Sequence, residues 1–161
     1  MIKNMQQENF NEKFRHRTKA LAIKVLKMYA DLKKTDEVRI VGKQLMRSAT
    51  SVAANFRATC RARSEREKFA KLCIVVEEAD ETIFWLEVLE ESKIAIALDF
   101  NAIKLEAMEI LKVMSSYRKT LGQSLKKKWI ANYLAITRSQ DHKITRSPDH
   151  PITRSPDHPI T

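Results

Sequence analysis

Apolar residues recur along most of the chain at alternating steps of three and four, the spacing of a single buried helix face. The rhythm appears four times, over residues 14–32, 42–60, 69–86 and 100–121. It predicts an all-α protein built as a four-helix bundle. We expect helices over residues 8–34, 37–60, 65–92 and 99–121.

Local residues at the predicted boundaries support this division. Thr35 or Asp36 can cap the second helix, and Ser64 with Glu67 matches a capping box at the start of the third. Asp99 is a candidate cap for the fourth. Because the connections are short, neighbouring helices are expected to run antiparallel, in an up-down-up-down order.

Gly122 follows two basic residues and is the expected end of the fourth helix. The next stretch, QSLKKKWIANYL at 123–134, is either a further short helix or a mobile basic extension. Lysines beside Trp129 and Tyr133 suit phosphate attraction and base stacking on nucleic acid. The alternative is a solvated helix end with Trp129 packed on the bundle.

Residues 136–161 repeat an octapeptide, ITRSPDHP, with small changes. One isoleucine per repeat buries too little apolar surface to offset the entropy of ordering, so we expect a disordered tail. His142, His150 and His158 each follow an aspartate, a pairing that can bind metal only opportunistically. We predict no functional metal site.

Composition adds few constraints beyond these. With 161 residues, 43% of them hydrophobic, the chain fits one domain, and its two glycines and four prolines leave little room for tight-turned strands. The start has no apolar leader and no run approaches a membrane span, so a cytoplasmic location is expected. Cys60 and Cys73 lack metal-site spacing and are expected to be buried.

The net charge of +10 is unevenly distributed. Residues 64–92 hold nine acidic and three basic side chains, whereas each other segment is net basic. Such asymmetry favours charge pairing within or between chains first, and a polyanionic partner second.

No catalytic constellation is recognisable. A dimetal bundle needs Glu-x-x-His pairs, but His16 is the only histidine of the predicted bundle and Lys13 stands three residues before it. Two distant glycines cannot form a phosphate loop. We therefore predict a non-enzymatic protein without a cofactor.

The second helix is unusual because small and polar residues stand where large apolar ones are expected. Ser48, Ser51 and Asn55 lie among alanines, and such a surface lets another backbone approach closely. A buried Asn must find hydrogen-bond partners, so it can fix which helices pair, within the chain or between copies. Alternatively these three side chains face water.

Basic residues follow the same helix and the turn after it. Guanidinium groups suit both carboxylates and phosphates, so the acidic third helix and a nucleic-acid backbone are competing partners. The candidate nucleic-acid-binding residues are Arg39, Lys43, Arg47, Arg57, Arg61, Arg63 and Arg66.

The run from residue 44 to 92 resembles the bacterial four-helix-bundle family that includes proteins encoded in intervening sequences of 23S rRNA genes, and it is similar to the accessory variability determinant of diversity-generating retroelements. The residues that carry the resemblance are Gln44, Arg47, Ser48, Ser51, Ala54 and Asn55, then Ser64 and Phe69, then Glu78, Ala79, Glu81, Thr82, Trp85, Leu86 and Glu87. One departure is Ala58, where members carry a Glu, which leaves the pairing of Arg57 and Arg61 open.

The resemblance implies a ring-like homopentamer whose basic surface, in the retroelement members, contacts nucleic acid and a reverse transcriptase. Our leading hypothesis from sequence is therefore a homo-oligomer that binds RNA or DNA through basic helix faces. The rival hypothesis is an assembly scaffold that binds no nucleic acid.

Overall fold

The computed structural model of the chain describes residues 2–94 and 100–144. These residues form four α-helices and no strand, which confirms the all-α prediction. The helices are α1 (Ile2–Asp31), α2 (Asp36–Thr59), α3 (Glu65–Glu91) and α4 (Asn101–Ile144). The chain divides into two compact units, Met1–Leu125 and Lys126–Thr161.

Side chains cap α2 and α3 as the sequence predicts. The Thr35 hydroxyl accepts a hydrogen bond from the Val38 backbone N–H at 3.3 Å. Ser64 accepts one from the Glu67 N–H at 3.1 Å, and the Glu67 carboxylate accepts one from the Arg63 N–H at 2.8 Å. Backbone donors that would lack helix partners are thus satisfied at both starts. Asp99, the predicted cap of α4, lies outside the described residues.

Two contacts fix the direction of α4 against α1. The ring of Phe10 meets that of Tyr117 edge-on at 5.4 Å between centroids. Further along α1, Arg17 donates to both carboxylate oxygens of Glu106, at 2.8 and 3.0 Å. This bond lowers the pKa of Glu106. Contacts that advance along α1 and retreat along α4 are those of antiparallel helices.

The helix pairs α1–α2 and α3–α4 are antiparallel as well. Phe14 packs on Phe56 of α2, while Tyr29 lies against Gly42, nearer the start of that helix. Phe69 of α3 lies near Gly122, while the later Glu90 pairs with Lys104, nearer the start of α4. These pairings are the ones that an up-down-up-down bundle requires.

One apolar core joins all four helices of the first unit. Every helix contributes side chains with no exposed surface, and burying each such side chain stabilises the fold by about 1.5–3 kcal/mol before the entropy of ordering is deducted. The largest of them are Phe56, Leu21, Leu45, Leu72, Leu86, Leu89, Ile110 and Met114. Cys60 and Cys73 are half-buried rather than buried as predicted.

The prediction that α4 ends at Gly122 is wrong, because the helix continues to Ile144. The glycine has a packing role instead. A Cβ at this position would come 3.0 Å from the ring of Phe69, so the missing side chain gives the ring room against α4. Residues 123–134 are accordingly part of α4.

The helix also includes residues 136–144, the start of the tail that we expected to be disordered. The first proline of the tail is Pro148, so this stretch has a complete set of backbone N–H donors for a helix. Residues 145–161, with His150 and His158, lie outside the described residues. Within the described ranges, no helix is long and apolar enough to cross a bilayer.

Replacing Gly42 with Ala should destabilise the bundle. A Cβ there would overlap the Tyr29 ring, which must then move from the α1–α2 contact. Overpacking costs about 1–3 kcal/mol, against roughly 1 kcal/mol gained in helix propensity. Gly122→Ala is the matched control and should be close to neutral, since Phe69 has to yield only slightly. Urea denaturation measures both, and a Gly42→Ala variant more stable than the wild type would contradict the packing described.

Candidate functional site

The small-residue side of α2 is a close contact with α3. Ser48 and Ala49 have no exposed surface. The Ser48 hydroxyl lies 3.1 Å from that of Thr82 on α3 and donates to the Leu45 carbonyl at 3.1 Å. Ser48 is thus buried against α3 and does not face water.

Arg47 lies at the edge of this contact and binds protein carboxylates. Its Nη2 donates to Glu81 at 2.6 Å, its Nη1 lies 3.7 Å from Glu78, and its Nε donates to Gln44 at 3.1 Å. The Trp85 indole N–H donates to the same Glu81 oxygen at 3.0 Å. The bond from Trp85, followed by that from Arg47, lowers the pKa of Glu81. Both halves of the sequence motif thus meet in one network.

Asn55 and Ser51 are half-buried and bond to each other. The Asn55 amide donates to the Ser51 carbonyl and hydroxyl oxygens, each at 3.0 Å. Because both bonds stay within α2, they hold the Asn side chain without joining a second helix. The cross-helix polar contact predicted for Asn55 is made by Ser48 instead.

Four other predicted cations lie on the surface of α2 and of the turn into α3. Arg39 pairs with Asp36, one turn before it, at 2.9 Å, and both side chains are largely exposed. Such a surface pair contributes little to stability. Lys43 is exposed on α2, and Arg63 and Arg66 are exposed around the turn into α3.

Arg57 and Arg61 line a groove between α1 and α2 with a volume of about 510 Å³. Arg15 and Lys19 line its other wall from α1, together with His16. We call this surface the basic groove. Its remaining lining residues are short or small: Ala22, Thr50, Ala53 and Ala54.

The basic side chains seen in ion pairs are Arg17, Arg39, Arg47 and Lys104, and none of them lines the groove. Burial raises the pKa of the nearby Cys60 thiol, and the positive charges of Arg15, Lys68 and Arg61 offset only part of that rise. The raised pKa means that the thiol adds no negative charge beside the groove.

Sequence reasoning missed the α1 half of this groove. Arg15 and Lys19 stand at positions i and i+4, so they share one face of α1. That spacing was available from the sequence. What the sequence could not supply was that this face lies beside Arg57 and Arg61 rather than on open solvent.

Trp129 and Tyr133 form a second aromatic feature, within Lys126–Thr161. Their rings stack 5.7 Å apart with planes 15° from parallel. Trp129 is 61% exposed. Among the described residues, no group of three His, Cys, Asp or Glu side chains is placed to hold a metal ion.

Comparison with known proteins identifies related sequences and a related fold. The profile of the family described as 23S rRNA-intervening sequence protein matches residues 11–116. A solved structure, a protein of unknown function from the S23 ribosomal protein family of Bacteroides thetaiotaomicron VPI-5482, is 29% identical with a TM-score of 0.60. The match covers 68% of this chain and 97% of that one. A comparison with curated proteins found no match.

Replacing Trp85 with Phe should raise the pKa of Glu81, because the ring is kept and the N–H donor lost. A depressed carboxyl pKa stabilises the fold above its unfolded value, about 4.3, and that stabilisation disappears as pH falls through the folded value. The stability difference between wild type and variant should therefore be larger at pH 7 than at pH 3, as measured by urea denaturation.

Glu81→Gln supplies the control for this experiment. In that background the Trp85→Phe substitution should have the same effect at both pH values, because no carboxyl remains to titrate. If the wild type and the Trp85→Phe variant differ in stability by the same amount at pH 7 and pH 3, the indole does not act through Glu81.

Proposed function

The chain belongs to the 23S rRNA-intervening sequence protein family, and on that premise we propose that it is a non-catalytic, self-associating protein that binds the phosphate backbone of nucleic acid in the basic groove. The observation that carries the proposal is the convergence of Arg15, Lys19, Arg57 and Arg61 on one concave surface between α1 and α2. Like charges held together repel, and an anion between them relieves that repulsion.

The chemistry of the groove favours a polymeric phosphate over a single small anion. The cations stand on two helices on both sides of an open groove, so that several phosphates of one strand can be neutralised together. Arginine adds bidentate hydrogen bonds to phosphate oxygens. The alanines of the lining carry no side-chain donor or acceptor, so base edges are poorly read. Binding is therefore expected to be largely independent of sequence.

This site differs in part from the set predicted from sequence. Arg57 and Arg61 belong to it, whereas Arg47 is held by Glu78 and Glu81, and Arg39 has Asp36 as a local partner. Lys43, Arg63 and Arg66 do not line the groove. The proposed binding surface therefore lies between α1 and α2, whereas the sequence predicted a surface along the length of α2.

A second candidate function is an assembly scaffold without nucleic acid. The network around Arg47 favours this second function. In that network an arginine that could bind phosphate pairs with protein carboxylates instead. The two candidates predict different results when the groove arginines are replaced. For the nucleic-acid-binding protein the salt dependence of binding should change, whereas the scaffold has no nucleic-acid binding to change.

Charge reversal of Arg57 and Arg61 to Glu should weaken binding to mixed-sequence RNA and DNA oligonucleotides. Each neutralised phosphate contributes about 0.7–0.9 to the slope of log K against log salt, so losing two contacts should flatten the slope by about 1.5 or more. Fluorescence anisotropy between roughly 0.05 and 0.2 M salt measures this.

The matched control reverses Lys13 and Lys27, exposed lysines of α1 that do not line the groove. The net charge change is the same, so only a long-range effect should remain and the slope should be nearly unchanged. Equal losses in the two variants, or no wild-type binding at about 0.1 M salt, would refute the proposal.

A further inference from the structure

The last described part of α4 carries a group of large apolar side chains that remain exposed. They lie within one short stretch of sequence: Trp129, Ile130, Tyr133, Leu134 and Ile136. Isolated apolar residues are normal on a protein surface, whereas grouped ones mark contact surfaces. The group belongs to the unit Lys126–Thr161 and follows the family match, which ends at residue 116. It is therefore a feature of this chain's extension and not of the matched bundle.

These side chains share one side of the helix. Trp129, Tyr133 and Ile136 follow one another at steps of four and three, and Ile130 and Leu134 form the adjoining row. At 100° per residue, their positions span about 160° of the helix circumference. We call them the apolar stripe. The other positions of residues 127–135 are lysine, alanine and asparagine, so the segment is amphipathic.

Thr137 continues the stripe one turn beyond Tyr133, and its polar group is satisfied inside the helix. The Thr137 hydroxyl donates to the Leu134 carbonyl at 3.0 Å and lies 3.3 Å from the Tyr133 carbonyl. A polar group that is already hydrogen-bonded costs less to bring into apolar surroundings than a free one. The stripe can therefore be extended by this residue without leaving a donor unsatisfied.

Basic residues accompany the stripe. Residues 126–140 contain Lys126, Lys127, Lys128 and Arg138 and no acidic residue. The three lysines are exposed. Lys127 and Lys128 stand outside the arc of the stripe, and Lys126 lies one turn before Ile130, at the start of the stripe. Because a lysine stem is long and flexible, its ammonium group can reach the polar boundary of an apolar surface. A partner for this segment must therefore combine an apolar interior with a negatively charged boundary.

The surface of an anionic lipid bilayer has both properties. Basic amphipathic helices lie in such a surface with their apolar side at the boundary between headgroups and acyl chains. Tryptophan and tyrosine are favoured at the level of the headgroups, and lysines are attracted by the negative potential of anionic lipids. The stripe is much shorter than the run of about 20 apolar residues that a span requires. The segment can therefore lie in the plane of a bilayer but cannot cross it.

Nucleic acid fits this segment less well than lipid. A single strand would use the cations and the two aromatic rings. However, Ile130, Leu134 and Ile136 have no ring on which a base could stack. The rings of Trp129 and Tyr133 already stack on each other with their planes 15° from parallel, so each has one face left for a base. The aliphatic majority of the stripe therefore favours a bilayer.

We propose that residues 126–137 bind the surface of an anionic bilayer, with the apolar stripe at the boundary between headgroups and acyl chains and Lys126, Lys127 and Lys128 at the lipid phosphates. The inference goes beyond the proposed function and does not depend on it, because the basic groove belongs to the unit Met1–Leu125. The extension then anchors the protein reversibly to a membrane surface.

Replacing two aliphatic residues of the stripe tests the insertion step. In the full chain, Ile130→Gln with Leu134→Gln should weaken binding to vesicles of phosphatidylglycerol and phosphatidylcholine at least tenfold, because apolar burial is lost. The net charge of the protein is unchanged, so the loss reports insertion and not general attraction between a basic protein and an anionic surface. Co-sedimentation with the vesicles measures the binding.

The matched control makes the same substitutions elsewhere. Ile40→Gln with Leu105→Gln replaces two exposed aliphatic residues of the unit Met1–Leu125. This variant should bind the vesicles as tightly as the wild type. All four substitutions are at exposed positions, so both variants should keep the wild-type midpoint in urea denaturation.

Two further measurements examine the charge and the aromatic side chain. Lys126→Gln and Lys127→Gln should each weaken vesicle binding about fivefold, and vesicles of phosphatidylcholine alone should bind the wild type weakly. Tryptophan emission should shift to the blue when anionic vesicles are added. Trp129→Phe should remove this shift, because the remaining tryptophan, Trp85, lies in the bundle.

Several results would overturn the inference. Unchanged vesicle binding by the Ile130→Gln, Leu134→Gln variant, or an equal loss in its control, would leave only general charge attraction. Equal binding to neutral and anionic vesicles would remove the role of the lysines. A smaller particle mass for this variant than for the wild type, without lipid, would show that a second copy covers the stripe. Weaker oligonucleotide binding with unchanged vesicle binding would assign the stripe to nucleic acid.

Discussion

The close approach of α2 and α3 decides which charged side chains of the bundle are neutralised within the chain. Ser48 and Ala49 are small enough to bring the two helices together, and the Ser48–Thr82 contact satisfies the polar groups that this buries. Approach on that side places Arg47 within reach of Glu78 and Glu81. It also turns the opposite side of α2, with Arg57 and Arg61, toward α1. One helix therefore has an internally neutralised side and an open cationic side.

Much of the fold could be predicted from the sequence because its signals are local. The start of α3 is set by Ser64 and Glu67 within one turn, and the core follows the spacing of apolar residues. The end of α4 could not be predicted this way. A glycine after basic residues is typical of a helix end, and only the position of Phe69, distant in sequence, explains Gly122 inside the helix.

The candidate site was predicted only in part for the same reason. The arginines of α2 could be found by composition, but which of them meet a carboxylate depends on the rotation of α2 about its axis. Arg47 and Arg57 stand ten residues apart on one helix, yet one faces α3 and the other lines the groove with α1. Rotation is set by core packing. A list of charges along the sequence therefore overstates the surface available to a polyanion.

The distribution of charge over the bundle leaves acidic and basic side chains on different surfaces. The Arg47 network shows that acidic α3 can neutralise the cations of α2, but only along the side where these helices touch. The carboxylates on the outer side of α3 and the cations on α1 and α2 are kept apart by the core between them. Separation across a bundle leaves both sets solvated and weakly coupled, since interactions beyond about 10 Å are screened at 0.1 M salt.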